Sequence, residues 1–199
     1  MNMKKIAALL LCCAVAAGSL TACGGTGTKA ESGAGSTAES GADASAETGA
    51  AAAEENPYEG LTLYQSESGI SLYMADGFEE AQVEGSACCF KGGSSAVSCQ
   101  EEFFSAMEEV GYSGSEMTEE EYAKLLIEAY QLDCEAETDE YGSVSFLYTK
   151  DVMGASMSYY AFVDKGSEAF WTTTFMCGTA SADEMEADFR LWGSSIQIP

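Results

Sequence analysis

Eight cysteines and no histidine set the chemistry open to this chain of 199 residues. Without an imidazole it lacks the commonest general base near neutral pH and the commonest transition-metal ligand. Ser-His-Asp and Cys-His catalysis are therefore excluded within the chain. Thiols and carboxylates remain. Cys88, Cys89, Cys99, Cys134 and Cys177 form an odd set of five in the later part of the sequence. Outside the cytoplasm such a set leaves at least one free thiol or an intermolecular bond. A two-residue Gly93-Ser94 turn, with glycine first, sets Phe90 opposite Val97 and Cys88 opposite Cys99, and a four-residue loop at 92–95 gives the same register. Cross-strand neighbours lie close enough to bridge after modest adjustment, so Cys88 and Cys99 are the candidate disulfide. Buried structural thiols are the plain alternative for all five. Cys88 and Cys89 are adjacent, not spaced Cys-x-x-Cys, and adjacent strand residues point to opposite faces.

The carboxylates single out no catalytic pair. From Tyr58 to Pro199 there are 27 acidic residues against five basic ones, a net charge of about −22. A surface so charged repels phosphate backbones, which excludes nucleic-acid binding. Asp133, Glu135, Glu137 and Asp139 alternate as a calcium loop would. Counted from Asp133, the sixth and twelfth positions are Thr138 and Val144 where glycine and glutamate are required, so the series reads as the wet face of a strand. Paired carboxylates for glycoside hydrolysis have no distinguishing spacing here. The expectation is no catalytic residue, no metal and no cofactor.

The start of the chain carries a different chemistry. Lys4-Lys5 precede an uncharged apolar run of 12 residues, Ile6 to Ala17, too short to span a bilayer, which takes roughly 20. Gly18-Ser19 break that run just before Leu20-Thr21-Ala22-Cys23. The four residues Leu20, Thr21, Ala22 and Cys23 resemble the lipobox of bacterial lipoproteins. The resemblance implies a signal peptide over 1–22, removed so that Cys23 becomes the first mature residue. It also implies a thioether-linked diacylglycerol on the Cys23 thiol and often an amide-linked acyl chain such as palmitate. Two or more acyl chains hold stably where one is marginal. Cys12 and Cys13 leave with the signal.

Residues 23–57 follow as a tether, built almost wholly from Gly, Ala, Ser, Thr and Glu with no aromatic and no large aliphatic side chain after Cys23. Such a segment cannot bury enough apolar surface to offset its ordering entropy. As a flexible coil it spans roughly 30–35 Å, enough to hold a payload away from an anionic bilayer. The payload, 58–199, holds every tryptophan, tyrosine and phenylalanine of the chain, enough for one domain with a real core.

Elements follow from periodicity. Strands are expected at 61–65, 69–75, 87–90 and 96–99, then a helix over 100–110 with Phe103, Phe104 and Met107 on one side. Thr118-Glu119-Glu120-Glu121 opens the clearest helix, a capping box followed by Tyr122, Leu125, Leu126, Ala129 and Tyr130 at helical spacing. A meander of strands at 133–138, 144–150, 155–163 and 169–177 comes next. Ser181 is expected to cap a last helix with Met185, Phe189 and Trp192 on its buried side, and 196–198 to add a closing strand. Phe170-Trp171 and Tyr159-Tyr160 are split between the two sheet faces. The fold class is α+β, an antiparallel sheet of about six to eight strands packed with two or three helices. Gly69 to Phe78, the capped helix with Tyr122, the aromatic strand 169–175 and the last helix running into Ile196-Gln197-Ile198 together resemble the PsbP/Mog1-type sandwich of small exported proteins. That resemblance implies packing and no fixed chemistry.

The expected protein is therefore a lipid-anchored module on the extracytoplasmic face of the cell membrane. It is attached through Cys23, binds or scaffolds without catalysing, and has an envelope protein as a candidate partner. A small thiol- or carboxylate-dependent enzyme on the same fold is the alternative.

Overall fold

The computed structural model describes residues 56–139 and 142–199. The signal segment 1–22, the lipobox Leu20, Thr21, Ala22 and Cys23, and the tether up to residue 55 lie outside the described residues.

Seven strands form one fully antiparallel sheet. In chain order they are β3 (Glu79–Glu80), β4 (Cys88–Gly92), β5 (Ser95–Phe103), β6 (Glu137–Thr138), β7 (Val144–Val152), β8 (Ala155–Lys165) and β9 (Ala169–Gly178). Their spatial order is β3-β4-β5-β9-β8-β7-β6, so the aromatic β9 is central, between β5 and β8. A separate hairpin pairs β1 (Thr62–Gln65) with β2 (Ser71–Met74). Among the described residues three α-helices complete the fold: α1 (Phe104–Glu109), α2 (Glu119–Tyr130) and α3 (Ala182–Gly193). None is long and apolar enough to cross a membrane. The α+β class, the meander and the Cys88–Cys99 and Phe90–Val97 register are as expected.

Alternation along β9 builds two cores. Trp171, Phe175 and Cys177 face α3, whose Phe189 and Trp192 pack with Ile70, Leu72 and Met74 of the hairpin region. Phe78 meets Trp192 edge-on at 5.7 Å, tying the hairpin's exit to the helix. On the opposite face Phe170 joins Tyr122 and Leu126 of α2, Phe104 and Met107 of α1, and Phe146 and Val163 of the sheet. Each such large side chain, fully buried, stabilises by roughly 1.5–3 kcal/mol. Thr118 caps α2 as expected: its hydroxyl accepts from Glu121 N while Glu121 Oε2 accepts from Thr118 N. Lys165 then fixes where α2 begins. Its ammonium donates to the carbonyls of Ser115 (2.9 Å) and Met117 (2.7 Å) and lies over the rings of Phe104 and Phe170.

Four expectations are corrected. The helix expected over 100–110 is a strand as far as Phe103, because Gln100 to Phe103 pair with Thr172 to Ala169 of β9; only Phe104–Glu109 are helical. In 133–138 only Glu137 and Thr138 pair, while Cys134 and Ala136 turn in against the α2 core instead. The segment 196–198 makes one bridge, Ser71 to Gln197, since Ile196 and Ile198 are spent on packing. Ser181 precedes α3 without a side-chain cap, because it lies in the one-turn helix Thr179–Ser181. The two-residue strand β3 was not foreseen.

Gly193, in the last turn of α3, lets the helix settle on Phe162; a methyl group there would overlap the ring, which is 5 % exposed and cannot swing aside. Replacing glycine by alanine in a helix gains at most about 1 kcal/mol, and overpacking costs about 1–3 kcal/mol. Gly193→Ala is therefore expected to destabilise by about 1–2 kcal/mol in urea melts, against the helix-propensity trend.

Candidate binding groove

The face of the sheet under α2 is read from alternate residues. β9 contributes Phe170, Thr172, Thr174 and Met176; β5 contributes Ala96, Ser98, Gln100 and Glu102; β8 contributes Met157, Tyr159, Ala161 and Val163; β7 contributes Phe146, Tyr148, Lys150 and Val152. A helix of 12 residues is about 18 Å long. It covers the end with Phe170 and Val163 and leaves the rest open. The uncovered strip is a groove of about 540 Å³, within the 300–1,000 Å³ usual for small-molecule sites.

Its floor has two characters. On β5 and β9 it offers Gln100, Glu102, Thr172 and Thr174; on β7 and β8 it offers Phe146, Tyr148, Tyr159 and Ala161. Tyr148 and Tyr159 are parallel at 4.8 Å, so the aromatic side is one continuous slab. Tyr122, Leu126 and Tyr130 of α2 form one wall, and Ala106 of α1 stands at the rim.

The wall and the polar floor are joined by one residue. Tyr122 stacks on Phe170 at 4.2 Å and donates its hydroxyl to Glu102 Oε2 at 2.8 Å. Burial pushes the Glu102 carboxyl above its usual value, against the opposing pull of the Tyr122 hydrogen bond. Burial, followed by the nearby Glu102 charge, pushes the Tyr122 hydroxyl well above its own. Tyr122 therefore remains a neutral donor, and Glu102 is the carboxylate on the floor.

The candidate residues of the sequence lie elsewhere. Cys88 and Cys99 are opposed across β4 and β5 on the α3 face, as free thiols. A hydrogen bond from Cys99 holds the Cys88 thiol below its usual value, while burial first and Cys88 second push Cys99 well above. Cys99 Sγ also lies 3.2 Å from Thr173 Oγ1. No cysteine lines the groove. Among the described residues no group of His, Cys, Asp or Glu is arranged to hold a metal ion. Phe170-Trp171 and Tyr159-Tyr160 are split between the faces as expected, and Tyr159 lines the groove.

The floor residues Gln100, Glu102, Thr172 and Thr174 were not foreseen. The helix expected at 100–110 hid the first two. The signal for the others lies in Thr172-Thr173-Thr174, which puts two hydroxyls in succession on one face of an otherwise apolar strand.

Similarity to known proteins is confined to solved structures. The solution structure of cyanobacterial PsbP (CyanoP) from Synechocystis sp. PCC 6803 is similar at 15% identity and a TM-score of 0.42, covering 70% of this chain and 93% of that one. A crystal structure from Bacteroides thetaiotaomicron VPI-5482 at 1.50 Å resolution is similar at 11% identity and a TM-score of 0.42, covering 65% of this chain and 45% of that one. No family model matches, and no curated protein matches.

One ionisable group off the groove bears on stability. Asp164, near the end of β8 and opposite Trp171, has a buried Oδ2 without a hydrogen-bond partner. Desolvation, then the charge of Glu119, pushes its carboxyl up to about 6. The folded state thus holds this proton more tightly than the unfolded chain, and stability falls as pH rises through the window from about 4 to about 6. Above that window the ionised group costs up to about 3 kcal/mol. Asp164→Asn is expected to stabilise by about 1–3 kcal/mol at neutral pH and to be close to neutral near pH 4, as read from urea melts at the two pH values.

Proposed function

We propose that this chain is a lipid-anchored, extracytoplasmic binding module and that the groove under α2 is its binding site. The groove carries the reading: an open aromatic and hydroxyl-lined trough of about 540 Å³ on the face of the sheet opposite the α3 core. The basic residues, the short apolar run and Leu20-Thr21-Ala22-Cys23 support export and lipidation at Cys23. The chemistry of the floor supports binding over catalysis. Glu101, Glu102 and Asp151 all line the groove, but Glu102 alone alternates onto the floor. It is already engaged by Tyr122 there and has no second floor carboxylate to pair with for carboxylate-pair hydrolysis. The thiols that a redox enzyme would use are held away from the groove.

Two experiments test the two halves. With the parent chain expressed in a bacterial host, labelled palmitate should enter the protein and the protein should sediment with membranes. Cys23→Ala should lose the label and be released or left unprocessed, and a variant processed and membrane-bound like the parent would remove the anchoring reading. For the groove, the neutral probe N-phenyl-1-naphthylamine should brighten on binding the full chain. Thr174→Trp on the floor and Ala106→Trp on the rim should each reduce that signal by about fivefold or more by filling the site. Unchanged brightening in both variants would place the probe elsewhere and overturn the assignment.

A further inference from the structure

We propose that Cys88 and Cys99 form a thiol–disulfide exchange site, in which Cys88 takes one half of a small disulfide and Cys99 displaces it, leaving a reversible bond between the two strands. The site lies on the α3 face, away from the groove, and does not depend on it. The two residues are opposed across β4 and β5, with both side chains in one buried cluster. Ala81 N donates to the Cys89 carbonyl, so the backbone groups of Cys89 face outward and, by alternation, those of Cys88 face β5. Opposed residues of that kind have Cα atoms about 5.5 Å apart, inside the range of roughly 4.4–6.8 Å that a disulfide spans. Their Cβ atoms lie roughly 4.5–5.5 Å apart, where an unstrained bond wants roughly 3.5–4.5 Å. The bond therefore closes with a small inward shift of the strands and stays easy to reduce. Among the described residues no other thiol competes for either partner. Cys89 alternates to the opposite face, and Cys134 packs in the α2 core there. Cys177 is four positions along β9 from Thr173, the residue beside Cys99, or roughly 13 Å away.

The two thiols are unlike, which sets the order of events. Cys99 is wholly enclosed, while Cys88 keeps 7 % of its surface open. Cys88 is the first residue of β4, entered from a segment in which Gln82, Glu84 and Gly85 are exposed, and β3 pairs no further along β4 than Phe90. The hydrogen bond from Cys99 favours the charged form of Cys88, and the attacking form in exchange is the thiolate. With the Cys99 hydrogen given to Cys88, the 3.2 Å contact between Cys99 Sγ and Thr173 Oγ1 is made by the threonine hydroxyl donating. In the first step the Cys88 thiolate attacks one sulfur of the small disulfide; that S–S bond breaks, and the other half leaves as a thiolate and takes a proton from water. The charge on Cys88 is then gone, and with it one of the causes that hold the proton on Cys99. Cys99 gives up its proton and attacks the Cys88 sulfur, releasing the second half as a thiol. The pair is oxidised by two electrons and the small disulfide is reduced to two thiols.

Oxidised glutathione is the probe. The folded full chain, and its Cys89→Ser variant to keep position 88 apart from 89, are incubated with it at neutral pH, quenched in acid, alkylated, digested and read by mass spectrometry. A bond between Cys88 and Cys99 is expected, reopened by an excess of reduced glutathione. Cys99→Ser should stop at a glutathione adduct on Cys88. Cys88→Ser should take up glutathione at Cys99 about tenfold or more slowly than that. Limiting iodoacetamide on the unsubstituted, reduced chain needs no change at either cysteine and serves if those variants do not fold. It should label Cys88 about tenfold or more faster than Cys99. A folded chain that forms no Cys88–Cys99 bond, joins a different pair of thiols, or forms the bond only in urea strong enough to unfold it would overturn the proposal. Equal labelling of Cys88 and Cys99, or equal uptake in the two serine variants, would overturn the order of attack on which it rests. A bond that reduced glutathione does not reopen would be a permanent staple, and the exchange site would fall.

Discussion

A seven-stranded sheet has two faces to bury, and here the cover is unequal. On one face, α3 and the β1–β2 hairpin together seal Trp171, Phe175 and Phe162. On the other, α2 and the short α1 cover only the end that holds Phe170. Nothing else in the described residues is laid over the rest of that face, and its side chains change accordingly, from phenylalanine and valine under the helix to threonine, glutamine and tyrosine beyond it. The groove is the direct outcome of that difference in cover.

Tyr122 makes the boundary between core and groove a fixed one. Its ring belongs to the core, stacked on Phe170, and its hydroxyl belongs to the groove, bonded to Glu102. An aromatic ring with a polar end suits this position, because one side must be dry and the other wet. The placement of α2 is supported from outside the groove as well, by the capping box at Thr118 and by Lys165 holding the preceding carbonyls. The wall is therefore set by the fold before any ligand enters.

What the sequence made legible was local. Thr118 with Glu121, the glycine-led turn at 93–94 and the three long strands of the meander each carry their signal within a few residues, and each was found. Gln100 to Phe103 was misread because Phe103, Phe104 and Met107 fit helical spacing, while the competing instruction comes from β9, some 70 positions away. The groove was illegible for the same reason. Its floor draws two residues from each of four strands, and only the registers bring them together. The lipobox-like Leu20-Thr21-Ala22-Cys23 and the run of small residues after it are, by contrast, patterns of consecutive residues, so the expectation they raise needs no fold.

The outermost strand has a consequence of its own. β6 pairs only with Val144 and Ser145, so the outer margin of β7 from residue 146 to 152 continues past it. Backbone donors and acceptors along such a margin invite a strand from a neighbouring molecule. Leu147 there is 44% exposed, which adds to the invitation. Lys150 and Asp151 sit on that same stretch and act as gatekeepers, since stacking a second copy would force their charges out of water. Two side chains thus protect this margin against self-assembly.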